Sequence, residues 1–290
     1  MHAVDAIINK KMVNTESPIS MGALFLDAGK ISVGDAERII VLQKQKGIRF
    51  GEAAKALGLI TDDDIQEALS QQFDFPFLGA SEENFSRELI AAYQPFSAQV
   101  EALRALRGQL MLRWFLDAHK TLALVSPRQG EGRSNIAANL AIVFSQLGER
   151  TLLIDADLRQ PQQHALFKLH NVYGLSDVLA GRADLTGVTR IPGFRDLSVL
   201  PAGTVPPNPV ELISRGLKTC LHQLRSQFDV ILIDTPSAEQ GIDAQIIASH
   251  CGGALLVARQ HKTKLNDLQL LKEALQDTGS QCVGAVLTDF

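Results

Sequence analysis

The chain has 290 residues, 46% of them hydrophobic and 21% charged, and its 28 basic side chains against 32 acidic ones exclude a basic nucleic-acid-coating protein and a highly charged disordered one. Cys220, Cys251 and Cys282 stand far apart without CxxC or Cys/His clusters, which argues against a disulfide framework or structural zinc and fits a reducing cytoplasm. No apolar run approaches the ~18 residues of a membrane span, and MHAVDAIINKKMVNTESPIS lacks the apolar segment of a secretion signal.

Residues 1–15 carry no pattern and read as a tail. AGKISVGDAERI at 28–39 and LGLITDDDIQEA at 57–68 then superpose at an offset of 29, pairing Gly29 with Gly58, Ile31 with Ile60, Ser32 with Thr61 and Asp35 with Asp64. In each copy a glycine ends one helix, Ser or Thr caps the next, and an acidic residue sits in its first turn. Two such units predict a small, mostly helical tandem-repeat domain over 16–78, packed face to face. Residues 79–97, which include Pro95 and lose periodicity, read as a linker with room for one short helix.

A second domain is predicted over 98–290. Val100, Leu103, Leu106, Leu110 and Trp114 recur at helical spacing, and apolar runs follow at 121–126, 151–155, 198–202, 229–234, 253–258 and 283–288. Strands apolar throughout are covered on both faces, so the expected class is α/β, with a mainly parallel sheet and helices on each side. Its site belongs at the carboxyl ends of the strands.

That rim carries the chemistry. After Val125, the residues SPRQGEGRSN place Gly130, Glu131 and Gly132 in a turn that runs into a helix opening with Arg133, Ser134 and Asn135. Successive N–H groups and the helix dipole there favour a phosphate, and Ser134 is placed to meet Mg²⁺. Pro127 replaces the first glycine, and Arg133 the lysine, of GxxxxGK[ST], so for this segment alone an ordinary glycine turn is the lesser alternative. Asp155 and Asp157 end one apolar strand and Asp234 another. Carboxylates at the ends of buried strands call for a cation such as phosphate-bound Mg²⁺, although each alone could be a helix cap.

SPRQGEGRS, LLIDADLR and VILIDTP resemble the Walker A, A′ and B motifs of the bacterial protein-tyrosine kinases (BY-kinases), a P-loop NTPase family. LPAGTVPPNPVELI at 200–213 and EALRALR at 101–107 are similar to two further segments of that family. The nearest subgroup comprises the chain-length-determinant kinases of exopolysaccharide operons. The resemblance implies ATP and Mg²⁺ as cofactors, with catalysis by Asp155, Asp157 and Arg133. It also implies ATP contacts over Gly130–Asn135 and Mg²⁺ on Ser134, Asp157 and Asp234. Glu101, Arg104 and Arg107 would join subunits into a homo-oligomeric ring; otherwise they are a solvated helix face with i,i+3 pairs. An inner-membrane polysaccharide co-polymerase would be the activator, making this a cytoplasmic protein peripheral to the inner membrane, touching it only through that partner and binding no nucleic acid.

Several residues depart from the pattern. Arg133 keeps the lysine's charge and changes its shape. Tyr93 and Tyr173 are the only tyrosines, so the family's terminal tyrosine cluster is missing and a nucleotide-responsive scaffold is the competing reading. Arg128, five residues before Arg133, has the offset of the signature lysine in ParA/MinD-type ATPases. In the first domain, Ser20–Gln43 and Arg49–Gln72, separated by KQKGI, are similar to the paired motifs of the MshEN-like domain of type II secretion ATPases. That likeness implies cyclic di-GMP held by Arg49, Gly51 and Gly22. The first copy opens SMG where the second opens RFG, and Ala54 and Lys55 replace apolar residues; the alternative is a docking module.

Overall fold

Each repeat folds as two helices, α1 (Met21–Asp27) and α2 (Val33–Lys46), then α3 (Phe50–Ala56) and α4 (Asp62–Gln72). The structure is a computed structural model and describes residues 20–72, 78, 84–117, 119–170 and 173–289; the expected tail at 1–15 lies outside them. Ser32 and Thr61 cap α2 and α4 as their position in the repeat demands. Each hydroxyl accepts the N–H of the aspartate three residues on at 3.2 Å. Asp35 and Asp64 in return accept the N–H of Ser32 and Thr61 at 3.1 and 2.8 Å, which closes two reciprocal capping boxes. The repeats pack crosswise, α1 on α4 and α2 on α3, around Phe25, Ile31, Ile39, Ala53 and Ile60.

Gly22 and Gly51 mark where α1 and α3 cross. A Cβ on Gly22 would lie 3.2 Å from the Phe50 ring, and one on Gly51 would lie 3.3 Å from both Met21 Sδ and Ile65 Cδ1. The repeat offset maps Met21 onto Phe50 and Gly22 onto Gly51, so these two contacts are equivalents. At both glycines the missing side chain admits a neighbouring helix. Arg49 is exposed at the start of α3, where its N–H donates to Glu52 at 3.0 Å and its side chain makes no capping bond.

The chain divides between Pro76 and Phe77, and the second unit contains the sheet. Its strands are β1 (Thr121–Val125), β2 (Thr151–Asp155), β3 (Thr189–Arg190), β4 (Leu197–Leu200), β5 (Val230–Asp234), β6 (Gly253–Arg259) and β7 (Gln281–Thr288). They lie in the order β3-β4-β2-β5-β1-β6-β7, and only β3 runs antiparallel to its neighbour. Alternate side chains feed two cores. Leu122 and Leu124 pack with α6 (Ala98–Arg113) and α7 (Arg133–Ser145); Ala123 and Val125 pack with α10 (Pro209–Leu224), α11 (Asp243–Cys251) and α12 (Leu265–Asp277). The apolar pattern of β7 has a different meaning, because β7 is an edge strand with Leu287 67% exposed.

Residues 84–97 are not a linker. Phe85, Leu89, Ala91 and Ala92 are buried in the same core as α7, and Ile90–Tyr93 forms the short α5. Asn139 on α7 accepts the Ala91 N–H at 2.9 Å and donates to the Glu88 carbonyl at 3.0 Å. The Tyr93 hydroxyl accepts the Phe85 N–H at 2.9 Å and donates to its carbonyl at 3.2 Å. Two short helices complete the unit, α8 (Gln163–Leu166) and α9 (Leu175–Leu179). The LPAG stretch secures α9: the Pro201 and Ala202 carbonyls accept the N–H groups of Leu175 and Ser176 at 2.7 and 2.9 Å.

Candidate functional site

β1 delivers the chain to the carboxyl edge of the sheet and α7 takes it away, leaving Ser126–Gly132 as the turn between them. Gly130 and Gly132 adopt φ of 72° and 87°, left-handed conformations that a side chain would oppose. The loop and the start of α7 form one wall of a cavity of about 1030 Å³, with Leu103, Leu106, Asp157 and Thr288 on the others. Its size suits a cofactor or nucleotide.

The loop is braced from behind. Glu131 is only 1% exposed; its carboxylate accepts the Arg128 N–H at 2.8 Å and the Thr263 hydroxyl. Thr288 donates to the Glu131 carbonyl at 3.2 Å. Lys262 donates to the Gln129 and Gly130 carbonyls at 3.1 Å each, and Arg259 to that of Gly130 at 3.2 Å. Expected as an ATP contact, Glu131 therefore uses its side chain as a loop brace. Arg128 pairs within the chain, donating from Nε to Asp267 at 2.8 Å.

Arg133 turns inward to the carboxylates. Its Nε donates to Asp234 Oδ1 at 3.0 Å, Nη1 to Ser126 Oγ at 3.0 Å and Nη2 to Asp157 Oδ2 at 3.2 Å. The other Asp234 oxygen accepts the Gln163 side-chain amide at 2.8 Å. The other Asp157 oxygen accepts the N–H groups of Arg159 and Gln160 at 3.2 and 2.9 Å. Asp155, in register with Asp234 on the neighbouring strand, accepts the N–H of Asp157 at 3.2 Å on one oxygen. Its second oxygen takes those of Gln162 and Gln163 at 3.0 and 2.9 Å.

Burial, followed by the Asp234 charge, pushes the Asp155 carboxyl well above the usual carboxylate range. Burial raises Asp157 as well, against the backbone N–H of Gln160 and the charge of Arg133, which pull it down. The sheet thus brings Arg133, Asp155, Asp157 and Asp234 together as the strand ends foretold. Their partners Ser126 and Gln163 were not foreseen, because serine and glutamine carry no spacing signal. Arg259 and Lys262 were detectable: they stand at and just beyond the carboxyl end of β6, the rim where ligands gather in this architecture.

Ser134 is half-buried on the cavity wall, its carbonyl accepting the Gln163 amide at 3.0 Å. Asn135 faces another task, donating to the Glu88 carbonyl at 3.2 Å and accepting from Asn139 at 3.0 Å; it ties residues 84–93 to α7. Glu101 and Arg104 form an i,i+3 ion pair on α6. Arg107 donates to the Val143 carbonyl at 2.8 Å, in the last turn of α7 where a cation is favoured, and burial lowers its pKa.

Mg²⁺ on Ser134, Asp157 and Asp234 would need carboxylate oxygens as ligands. Every oxygen of Asp155, Asp157 and Asp234 already accepts a hydrogen bond. Among the described residues, no group of three or more His, Cys, Asp or Glu side chains is arranged to hold a metal ion. As they stand, the guanidinium bridges the two carboxylates that Mg²⁺ would share, so a metal there would use their remaining lone pairs or displace it.

No family model matches the chain. Over 202 residues, 69% of its length, it is 36% identical to the tyrosine-protein kinase YwqD of Bacillus subtilis, covering 85% of that protein. It is 34% identical over 204 residues to the tyrosine-protein kinase wzc of Salmonella typhi, of which it covers 28%. Among solved structures, the kinase domain of Escherichia coli tyrosine kinase ETK superposes with a TM-score of 0.67 at 31% identity, over 69% of this chain and 79% of that one. The septum site-determining protein MinD of Pyrococcus horikoshii, complexed with Mg-ADP, gives 0.51 at 27% identity, over 58% and 69%.

Proposed function

Because this chain belongs to the bacterial tyrosine-protein kinase family, we propose that its large unit binds ATP at Gly130–Ser134 and acts as a protein-tyrosine kinase in exopolysaccharide chain-length control or export. The observation that carries this reading is the left-handed glycine turn between β1 and α7, opening on a cavity that Asp157 also lines. N–H groups of the turn and the N-terminal end of α7 would meet the phosphates. Phosphoryl transfer asks the protein chiefly for positioning and charge neutralisation. Asp157, on the cavity wall, is the carboxylate placed to meet a tyrosine hydroxyl once Arg133 releases its Oδ2. Asp155 has no exposed surface and accepts the Asp157 N–H at 3.2 Å, so it holds the turn that carries Asp157.

An inner-membrane polysaccharide co-polymerase would be the activator, with this protein on the cytoplasmic side. Glu101 and Arg104 would face the next subunit of a ring, whereas Arg107 serves its own α7. Incubating the full chain with the co-polymerase of its operon and ATP should give phosphotyrosine that Asp155→Ala and Asp157→Ala abolish. ATP binding without phosphotyrosine would defeat the kinase reading in favour of a nucleotide-responsive scaffold, which the hold of Arg133 on both carboxylates favours. Arg128, occupied by Asp267 in its own chain, gives no support to a ParA/MinD-type dimer contact.

A further inference from the structure

We propose that Arg133 is the resident counter-ion of this site and that the chain takes up nucleoside polyphosphate without a divalent cation. This rests on the nucleotide-site reading above and deepens it. The guanidinium is 8% exposed and divides its donors among three acceptors on three different segments: Asp234 at 3.0 Å, Ser126 at 3.0 Å and Asp157 at 3.2 Å. The carboxylate oxygens it leaves are filled by the Gln163 amide and by five backbone N–H groups.

A lysine ammonium is a compact charge on a flexible stem. The planar fork of an arginine instead bridges two acceptors at fixed separation, and here that separation is set by the pairing of β2 with β5. A divalent cation entering between Asp157 and Asp234 would have to displace the guanidinium or crowd against it at short range. The two cations are therefore alternatives for one pair of carboxylates. Positive charge for the phosphates comes from elsewhere, since the exposed Lys262 and the half-buried Arg259 reach the Gln129 and Gly130 carbonyls at the mouth of the loop.

The test is calorimetric titration of the full chain with ADP, in excess Mg²⁺ and in excess EDTA. For the natural sequence the two dissociation constants should differ by less than about threefold. Arg133→Lys, which frees the carboxylates, should bind ADP at least about tenfold more tightly with Mg²⁺ than without. Natural protein that itself gains about tenfold from Mg²⁺ overturns the proposal and leaves the nucleotide site standing. A lysine variant as indifferent to metal as its parent also overturns it. No ADP binding in either buffer defeats the nucleotide site, and the proposal with it. Paramagnetic resonance of Mn²⁺ added with ADP gives a readout independent of the variant's folding: the free-ion signal should be unchanged by the natural protein, and its loss refutes the assignment.

Discussion

Gln163 shows how one uncharged side chain can organise a charged site. Its amide nitrogen donates to Asp234 at 2.8 Å and to the Ser134 carbonyl at 3.0 Å, while its backbone N–H donates to Asp155 at 2.9 Å. Gln163→Leu leaves a buried carboxylate oxygen without its donor and should lower stability by about 1–3 kcal/mol, read from urea unfolding of the full chain. A second residue-scale expectation concerns pH. The Lys30 ammonium, together with the Thr61 N–H and hydroxyl, brings Asp64 down to about 2. A carboxyl lower in the folded than in the unfolded state stabilises above the ordinary carboxylate range, and that contribution fades as pH falls toward the folded value. Hydrogen exchange over residues 20–72 should therefore lose protection between about pH 4 and about pH 2, and Asp64→Asn should remove that portion of the loss. Asp35, lowered by Ser32, will still titrate there.

Helix crossings and clamps belong to the element scale. Gly51→Val would push a branched side chain against Met21 and Ile65, each already 3.3 Å from a mere Cβ. It should cost about 1–3 kcal/mol through overpacking, seen as increased exchange in α1 and α3. Asn139→Ala removes the acceptor of the Ala91 N–H and a donor to the Glu88 carbonyl. Limited proteolysis within 84–97 should then quicken. These two cases also show what a sequence reading can reach. Repeat helices were legible because caps and terminal glycines are local signals. Residues 84–97 were not, because their order comes from a side chain 48 positions away and from turns without a period. β3 escaped for a related reason: two residues are too few to display alternation.

At the scale of the whole molecule, the ion pair of Glu101 and Arg104 and the inward bond of Arg107 separate assembly from folding. On the proposed ring, Glu101→Arg should give monomers in sedimentation velocity where the natural chain gives a larger species, while leaving the unfolding free energy within about 0.5 kcal/mol, as for a surface substitution. Arg107→Ala should instead lower stability by about 1 kcal/mol, through the lost hydrogen bond to the Val143 carbonyl. An unchanged oligomer in the first variant would remove Glu101 from the interface.

The sequence by itself determined the tandem helical repeat, the parallel sheet, and the meeting of a glycine turn with acidic strand ends. Those features follow from spacing, capping chemistry and the rule that parallel strands present their carboxyl ends on one rim. Tertiary structure alone decided which cation those carboxylates hold. Arg133 is 24 residues from Asp157 and 101 from Asp234. They converge because β5 lies between β2 and β1 in the sheet, which sets both carboxylates within reach of the first residue of α7. Only that arrangement shows that the arginine, besides replacing a lysine, bridges Asp157 and Asp234.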